Sequence, residues 1–333
     1  MRAAFVASTS PADPLTGLRI DDIAISPPPD WVPVDVITAS LNHHDLWSLR
    51  GVGLPADRLP MILGTDAVGR APDGRTVIVY PVIAEPGPGA GEPGSPGSGA
   101  DGDATLNPHR TLLSEWYHGT VAERVWVPAA NLIEMPDWLS EEHAACLPTA
   151  WLTAYRMLVT RAAVQPGQRV LVQGATGGVA TACIALAAAA GAQVVVHTRD
   201  EARAERALAQ GASEVVLNGG RLSAPVDAVM ETVGEATWLH SLRAARPGGV
   251  IVVSGATSGA NPPAGLGHVF FRQLSILGAT MGTREELISL LAMLERTGVR
   301  PVLDSVIDLD GVPDALARMQ AGEVFGKLVV RLA

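Results

Sequence analysis

The pattern of apolar positions along the chain changes rhythm near residue 169. Before it, short apolar or alternating runs are broken by Pro and Gly: Ala3–Ser8, Val32–Leu41, Thr76–Val82 and Val121–Val127. Runs of this kind bounded by turn residues predict strands, so the first part of the chain reads as an irregular β-rich domain. From Arg169 on, brief β-branched runs alternate with longer Ala-rich stretches. Strands are predicted at Val170–Val172, Val194–Val196, Val215–Leu217, Asp227–Met230, Val250–Ser254 and Leu274–Ala279. Helices are predicted at Gly178–Ala190, at Asp200–Gln210 (ended by Gly211) and at Glu235–Ala245. This alternation implies an α/β class built of right-handed βαβ units, with a parallel sheet covered on both faces. The tail adds two amphipathic helices, Arg284–Arg296 and Gly311–Ala321, and a last strand, Gly326–Arg331. A length of 333 residues suits two domains.

Residues 85–103 hold 7 Gly and 4 Pro and show no apolar period. They read as a surface loop inside the first domain rather than a linker, because β-like pattern resumes directly after them.

Composition narrows the function classes. With 24 basic against 34 acidic residues the net charge is −10, which leaves no broad phosphate-neutralising surface. Nucleic acid and anionic membranes are therefore not expected as partners. All basic residues but one are Arg; Lys327 is the exception. Cys146 and Cys183 lie in Ala-rich helix-like contexts and make neither a disulfide framework nor a four-Cys zinc lobe. The longest apolar run, Ala182–Ala192, is too short to span a membrane, and the apolar start Ala3–Ala7 is too short for a signal sequence. The expected location is cytoplasmic.

The sharpest chemical signal follows the first strand of the α/β part. Gly174, Ala175, Thr176, Gly177, Gly178, Val179 and Ala180 join the strand at Arg169–Gln173 to a long helix. In that context Gly174 permits a tight turn, while Gly177 and Gly178 let backbone N–H groups approach a pyrophosphate at the positive end of the helix. Ala180 stands where a third Gly is usual. At the end of the second strand an NAD site carries Asp or Glu for the ribose hydroxyls. Here the residues are His197, Thr198 and Arg199, with Arg203 one helical turn on. Cationic forks suit a 2′-phosphate, so NADPH is expected over NAD, although Asp200 blurs the signal.

With these residues in view, the chain resembles the medium-chain dehydrogenase/reductase superfamily over nearly its whole length. The matching landmarks run in the family's order: Leu41–Trp47, Leu63–Asp66, Gly119–Glu123, Thr153–Tyr155, the Gly174 turn, Gly248-Gly249, Gly282-Thr283 and Phe325–Lys327. The resemblance implies a Rossmann doubly wound parallel sheet (151–283) inserted in a β-rich GroES-like catalytic domain (1–150 with 284–333). The active site is then expected in the cleft between them. In zinc-dependent members three positions carry the metal; in this sequence they are Asn42, Thr65 and Thr149, whose neutral oxygens are poor zinc ligands. The structural-zinc lobe aligns with the Cys-free 85–103 loop. The implied enzyme is zinc-free, of the quinone-reductase and enoyl-reductase branch, passing a hydride from NADPH to a quinone or an α,β-unsaturated carbonyl.

By resemblance, Asn42 offers its amide to a substrate carbonyl, His44 delivers a proton and Asp45 anchors the loop or shares in proton transfer. His43 falls where relatives contact cofactor phosphates. Trp47, Thr65 and Phe270 are expected against the substrate. Thr153, Gly255 and Phe271 are expected beside the nicotinamide, and Lys327 at the pyrophosphate. A metal-free carbonyl or alcohol oxidoreductase, and a nucleotide-binding redox sensor without turnover, stay open as other readings. The apolar run Leu274–Ala279 would form an edge strand able to pair across a two-fold axis, so a homodimer is expected.

Overall fold

The computed structural model describes residues 1–84, 103–218 and 220–332. The expected loop at 85–103 therefore lies outside the described residues, apart from Asp103. The chain divides into two compact units: 1–149 with 283–288 and 303–333, and 150–282 with 289–302.

The first unit is built on a mixed sheet in which distant parts of the chain pair. Its strands run in the order Leu132–Glu134, Thr76–Val79, Asp66–Arg70, Val32–Leu41, Lys327–Arg331 and Leu303–Ile307, and Arg124–Val127 pairs with the start of Val32–Leu41. Val330 faces Ala39 and Ser40 faces Asp66, so the chain's last strand and two early ones share one register. A smaller antiparallel sheet joins Leu18–Asp22, Arg2–Val6 and Met61–Ile62. The core of this unit includes Leu41, Leu46, Leu63, Val79 and Leu328, each at most 1% exposed. The run expected as one strand at 76–82 is two, Thr76–Val79 and Val82–Ile83, because Pro81 interrupts the ladder.

The second unit has six parallel strands in the order Glu214–Leu217, Gln193–Thr198, Arg169–Gln173, Val226–Glu231, Ala245–Val253 and Ser275–Gly278. This is the doubly wound arrangement with its switch point between Arg169–Gln173 and Val226–Glu231. Val195, Leu171, Val229 and Ile251 form one row across it, all fully buried. Each such side chain contributes about 1.5–3 kcal/mol of transfer free energy. The helix Gly178–Ala189 follows the first strand, favoured by its Ala content and ended where Gly191 turns to φ +82. No helix among the described residues is long and apolar enough to cross a membrane.

Candidate functional site

Three neighbouring strand ends in the first unit bring Asn42, Asp66 and Lys327 together. Asn42 follows Val32–Leu41, Asp66 opens the next strand on one side, and Lys327 opens the strand on the other. Lys327 is 3% exposed. Its Nζ donates to the Leu41 carbonyl at 2.8 Å and to Asn42 Oδ1 at 2.6 Å, and lies 3.5 Å from Asp66 Oδ2. Asn42 Nδ2 donates to Asp66 Oδ2 at 2.8 Å and to Thr65 Oγ1 at 3.1 Å. Ser40 Oγ donates to Asp66 Oδ2 at 2.8 Å, and Thr149 Oγ1 to Asp66 Oδ1 at 2.5 Å. Thr65 and Thr149 share a further hydrogen bond of 2.8 Å. An ammonium, a carboxylate, an amide and three hydroxyls thus satisfy one another inside the protein, as buried charges require.

This geometry corrects three expectations and bears on a fourth residue. Lys327 does not reach out to a pyrophosphate, because its donors close on buried acceptors. Asn42 has its amide hydrogens on Asp66 and Thr65 rather than free for a substrate carbonyl. Thr65 is fully buried within the same cluster, not a pocket wall. Asp45 is also fully buried, accepting from Asn42 N and Gly64 N at 2.8 Å each. Each of its oxygens accepts from a backbone N–H, the arrangement the loop-anchor role expected of it requires.

The helix His43–Leu49 carries the remaining candidates. His44 Nε2 donates to Glu115 Oε1 at 3.2 Å, while Nδ1 is buried with no partner among the described residues. Burial opposes charge on His44, but the Glu115 hydrogen bond and the Asp45, Glu115 and Asp66 carboxylates outweigh it and raise the pKa. Glu115 is lowered: burial pushes it up, but the hydrogen bond from His44 and that from Leu112 N prevail. Sequence reasoning missed Glu115, because 71 residues separate it from His44. His43 is lowered by burial and by Arg50, so it is a poor cation for a phosphate. Its ring meets Trp47 edge-on at 6.0 Å, and Arg50 covers Trp47 at 5.1 Å.

In the second unit Gly174 adopts φ +83, a conformation that a side chain would strain. An added Cβ at Gly177 would meet nothing within 4 Å, and the helix that begins beside it has no side-chain cap. Its first N–H groups, on Gly178 and Val179 among others, are therefore open donors at a positive helix end, a fit for a phosphate. Ala175 is buried, whereas Thr176 is half-buried on the turn. Thr198 is buried at the end of its strand. Asp200 caps the next helix by accepting from Arg203 N at 2.9 Å and pairs with Arg203 Nε at 3.0 Å. The carboxylate of Asp200 is thus committed to a cap, and Arg199 stands exposed without an ion pair among the described residues. Ser254 Oγ, beside Gly255 at the carboxyl end of Ala245–Val253, is buried with no hydrogen-bond partner among the described residues. An orphaned hydroxyl there fits a ligand at the carboxyl edge of the parallel sheet. Thr153 is buried, whereas Phe270 and Phe271 are 62% and 81% exposed and stack on each other at 4.3 Å.

Beneath the glycine turn lies a polar network that sequence reasoning missed. His197 Nδ1 donates to Gln173 Oε1 at 2.9 Å, and Gln173 Nε2 donates to His240 Nδ1 and Ser241 Oγ at 2.9 Å. Ser241 in turn donates to the buried Glu231 at 2.6 Å. Gly174 N donates to the His197 carbonyl, tying turn to network. The signal was a polar residue ending each apolar strand: Gln173 after Val170–Val172, and Glu231 after Val229-Met230. Burial and the adjacent His240 lower the His197 pKa to about 4. A group lowered in the fold binds its proton more readily unfolded, so it contributes stability above the unfolded value of about 6.5 that is lost toward pH 4. Thermal unfolding of the second unit should therefore soften as pH falls through that window, and His197→Gln should flatten the dependence. An equally steep profile in the variant would refute the assignment.

A family model described as zinc-binding dehydrogenase matches residues 178–296. Acryloyl-coenzyme A reductase of Sulfurisphaera tokodaii is 26% identical, over 96% of this chain and 97% of its own length. Crotonyl-CoA reductase of Streptomyces avermitilis is 24% identical, over 92% of this chain and 80% of its own. The crystal structure of an NAD-dependent alcohol dehydrogenase superposes with TM-score 0.87 at 33% identity, covering all of both chains. The chain belongs to the medium-chain dehydrogenase/reductase superfamily.

Membership raises the question of zinc. At the positions where the resemblance implies a metal site, Asn42, Thr65 and Thr149 are hydrogen-bonded to one another and to Asp66. The Lys327 ammonium holds the positive charge there. Among the described residues no group of three His, Cys, Asp or Glu side chains could hold a metal ion. Cys146, the thiol facing this cluster electrostatically, is pushed up to about 12 by burial and is not a thiolate donor. Zinc does not fit this donor set. A nicotinamide dinucleotide, by contrast, fits the open helix end and the orphaned Ser254.

Proposed function

We propose that the chain reduces a C=C bond conjugated to a carbonyl, as in an α,β-unsaturated acyl thioester, with a hydride from NADPH and without a catalytic metal. The observation that carries this reading is the Lys327–Asp66 cluster at the metal positions. Reducing or oxidising at a carbonyl oxygen in the zinc-dependent manner needs a Lewis acid on that oxygen. Hydride addition to the β-carbon instead spreads charge over an enolate, which needs only a proton at the α-carbon. The two coenzyme A reductases among the relatives support the same choice. When bound, NADPH supplies the hydride. The chain's residues do the rest: the helix end at Gly177–Val179 receives the pyrophosphate, Arg199 the 2′-phosphate, and the His44–Glu115 couple stores the proton.

The test is NADPH oxidation with crotonyl-CoA, a simple enone, a quinone and a saturated ketone, with product mass determined. Formation of the saturated thioester, unaffected by a chelator, is expected; the quinone competes as a second acceptor of the same electronic type. Activity confined to alcohols with NAD, or dependent on added zinc, would overturn the reading. Arg199→Ala should weaken NADPH binding by about ten- to a hundred-fold, since a charge-assisted contact is worth about 1.5–3 kcal/mol. NADH has no 2′-phosphate, and its affinity should hardly move; equal losses would reject the role.

The strand Ser275–Gly278 ends the parallel sheet, and its Ile276 is 42% exposed. An unpaired apolar edge favours strand pairing with a second copy. We propose a homodimer, which light scattering would show as twice the chain mass.

A further inference from the structure

A cavity of about 470 Å³ opens in the first unit, and none of the site residues named above line it. Three of the seven tryptophans, Trp31, Trp116 and Trp126, stand around it with Tyr117, Arg58 and His118. Its volume is typical of small-molecule sites, which run from about 300 to 1,000 Å³. The rings are arranged as platforms: Trp31 and Tyr117 lie 4.5 Å apart, and the Arg58 guanidinium sits 4.0 Å over the Trp116 ring. Trp116 is 49% exposed, a large aromatic surface offered to solvent.

The charges select among ligands. An aromatic cage alone suits a quaternary ammonium. Here two guanidinium groups stand at the wall against one carboxylate, Asp57, so the lining offers an anion more partners than a cation. Arg124 is held by Asp35 at 2.6 Å. Arg58 has no ion pair among the described residues, although Asp57 stands beside it in the wall. His118 Nδ1 accepts from Ile62 N at 3.3 Å, and burial lowers its pKa, so the neutral ring keeps Nε2–H as a donor. A planar base carrying phosphate matches stacking faces, a guanidinium and a neutral N–H together. The cavity wall is also continuous with the proton couple. Trp116 directly follows Glu115, whose Oε1 accepts from His44, so one turn of chain serves both.

We infer that this cavity receives the adenine nucleotide end of an acyl-coenzyme A substrate, an inference that rests on the thioester reading above. The nucleotide would stack on Trp116 and Trp31 with a phosphate on Arg58, giving the carrier a handle remote from the reacting double bond. Such a handle raises kcat/KM for the coenzyme A thioester over a truncated one.

Two measurements separate this inference from the proposed function. In the first, tryptophan fluorescence is titrated with adenosine 3′,5′-bisphosphate, which requires no turnover. Saturable quenching that is lost in Trp116→Ala and weakened about ten-fold or more in Arg58→Ala is expected. Binding that survives in Trp116→Ala assigns the probe to the nucleotide unit and overturns the inference, as does no binding. In the second, crotonyl-CoA is compared with the N-acetylcysteamine thioester of the same acid. The wild-type ratio of kcat/KM should be about ten or more and fall toward one in both variants. Equal use of the two thioesters by the wild type overturns the inference while leaving enoyl reduction standing. Reduction of neither one overturns the proposed function, and the fluorescence arm still decides the cavity. A dimer that becomes monomeric in Trp116→Ala would make the cavity a contact between copies of the chain and also overturn it.

Discussion

Lys327→Met should lower the stability of the first unit by about 3–5 kcal/mol, the usual cost of removing one partner of a buried pair. For a unit of this size that is a drop in Tm of about 10 °C. The reason is the closed cluster. Without the ammonium, the Asp66 carboxylate keeps three protein donors but loses the positive charge 3.5 Å away, and Asn42 Oδ1 loses its 2.6 Å donor. Met preserves most of the volume and apolar stem, so the loss reads the charge rather than a cavity. Asp66→Asn combined with Lys327→Met should cost less than the sum of the two single changes, because no uncompensated charge is left. Denaturation followed for all three variants checks this. A single variant within about 1 kcal/mol of the wild type would show that the ammonium is not the keystone of the cluster.

The cluster also shows where sequence reading stops. The strand and helix alternation after residue 169 was legible because a buried parallel strand needs an unbroken apolar run and its helix an Ala-rich stretch. The Gly174 turn was legible because only a glycine at that strand end tolerates its positive φ. Lys327 drew notice as the one lysine, yet its partner Asn42 lies 285 residues away. Only the pairing of Val330 with Ala39 brings the two together, and no local pattern encodes that register. The same holds for Glu115, whose role depends on a loop folding back to His44. Asp200 shows the converse, a local demand that the sequence left ambiguous. As a sequence letter it only blurred the expectation of NADPH, because a helix N-cap makes a competing local demand for the same carboxylate. Short two-residue strands such as Met61–Ile62 and Thr111–Leu112 carried too few positions for any period to register.

His44→Gln should reduce kcat for enoyl reduction by about 10²- to 10⁴-fold, the range for losing a positioned proton donor. The hydride leaves an enolate whose α-carbon must be protonated, and the His44–Glu115 couple is the proton store proposed for it. His44 is raised by its Glu115 hydrogen bond and the surrounding carboxylates despite burial, so it holds its proton to higher pH than a free imidazole does. A required acid of this kind gives activity that is full at lower pH and falls as pH rises through the His44 pKa. Glu115→Gln removes a charge that favours the imidazolium, so the alkaline fall should move to lower pH while NADPH affinity stays put. In His44→Gln the alkaline fall attributable to this group should disappear altogether. If kcat in His44→Gln stays within about two-fold of the wild type and the profile keeps its shape, the proton comes from elsewhere. The couple would then be only a brace joining the helix His43–Leu49 to the turn at Thr111–Glu115.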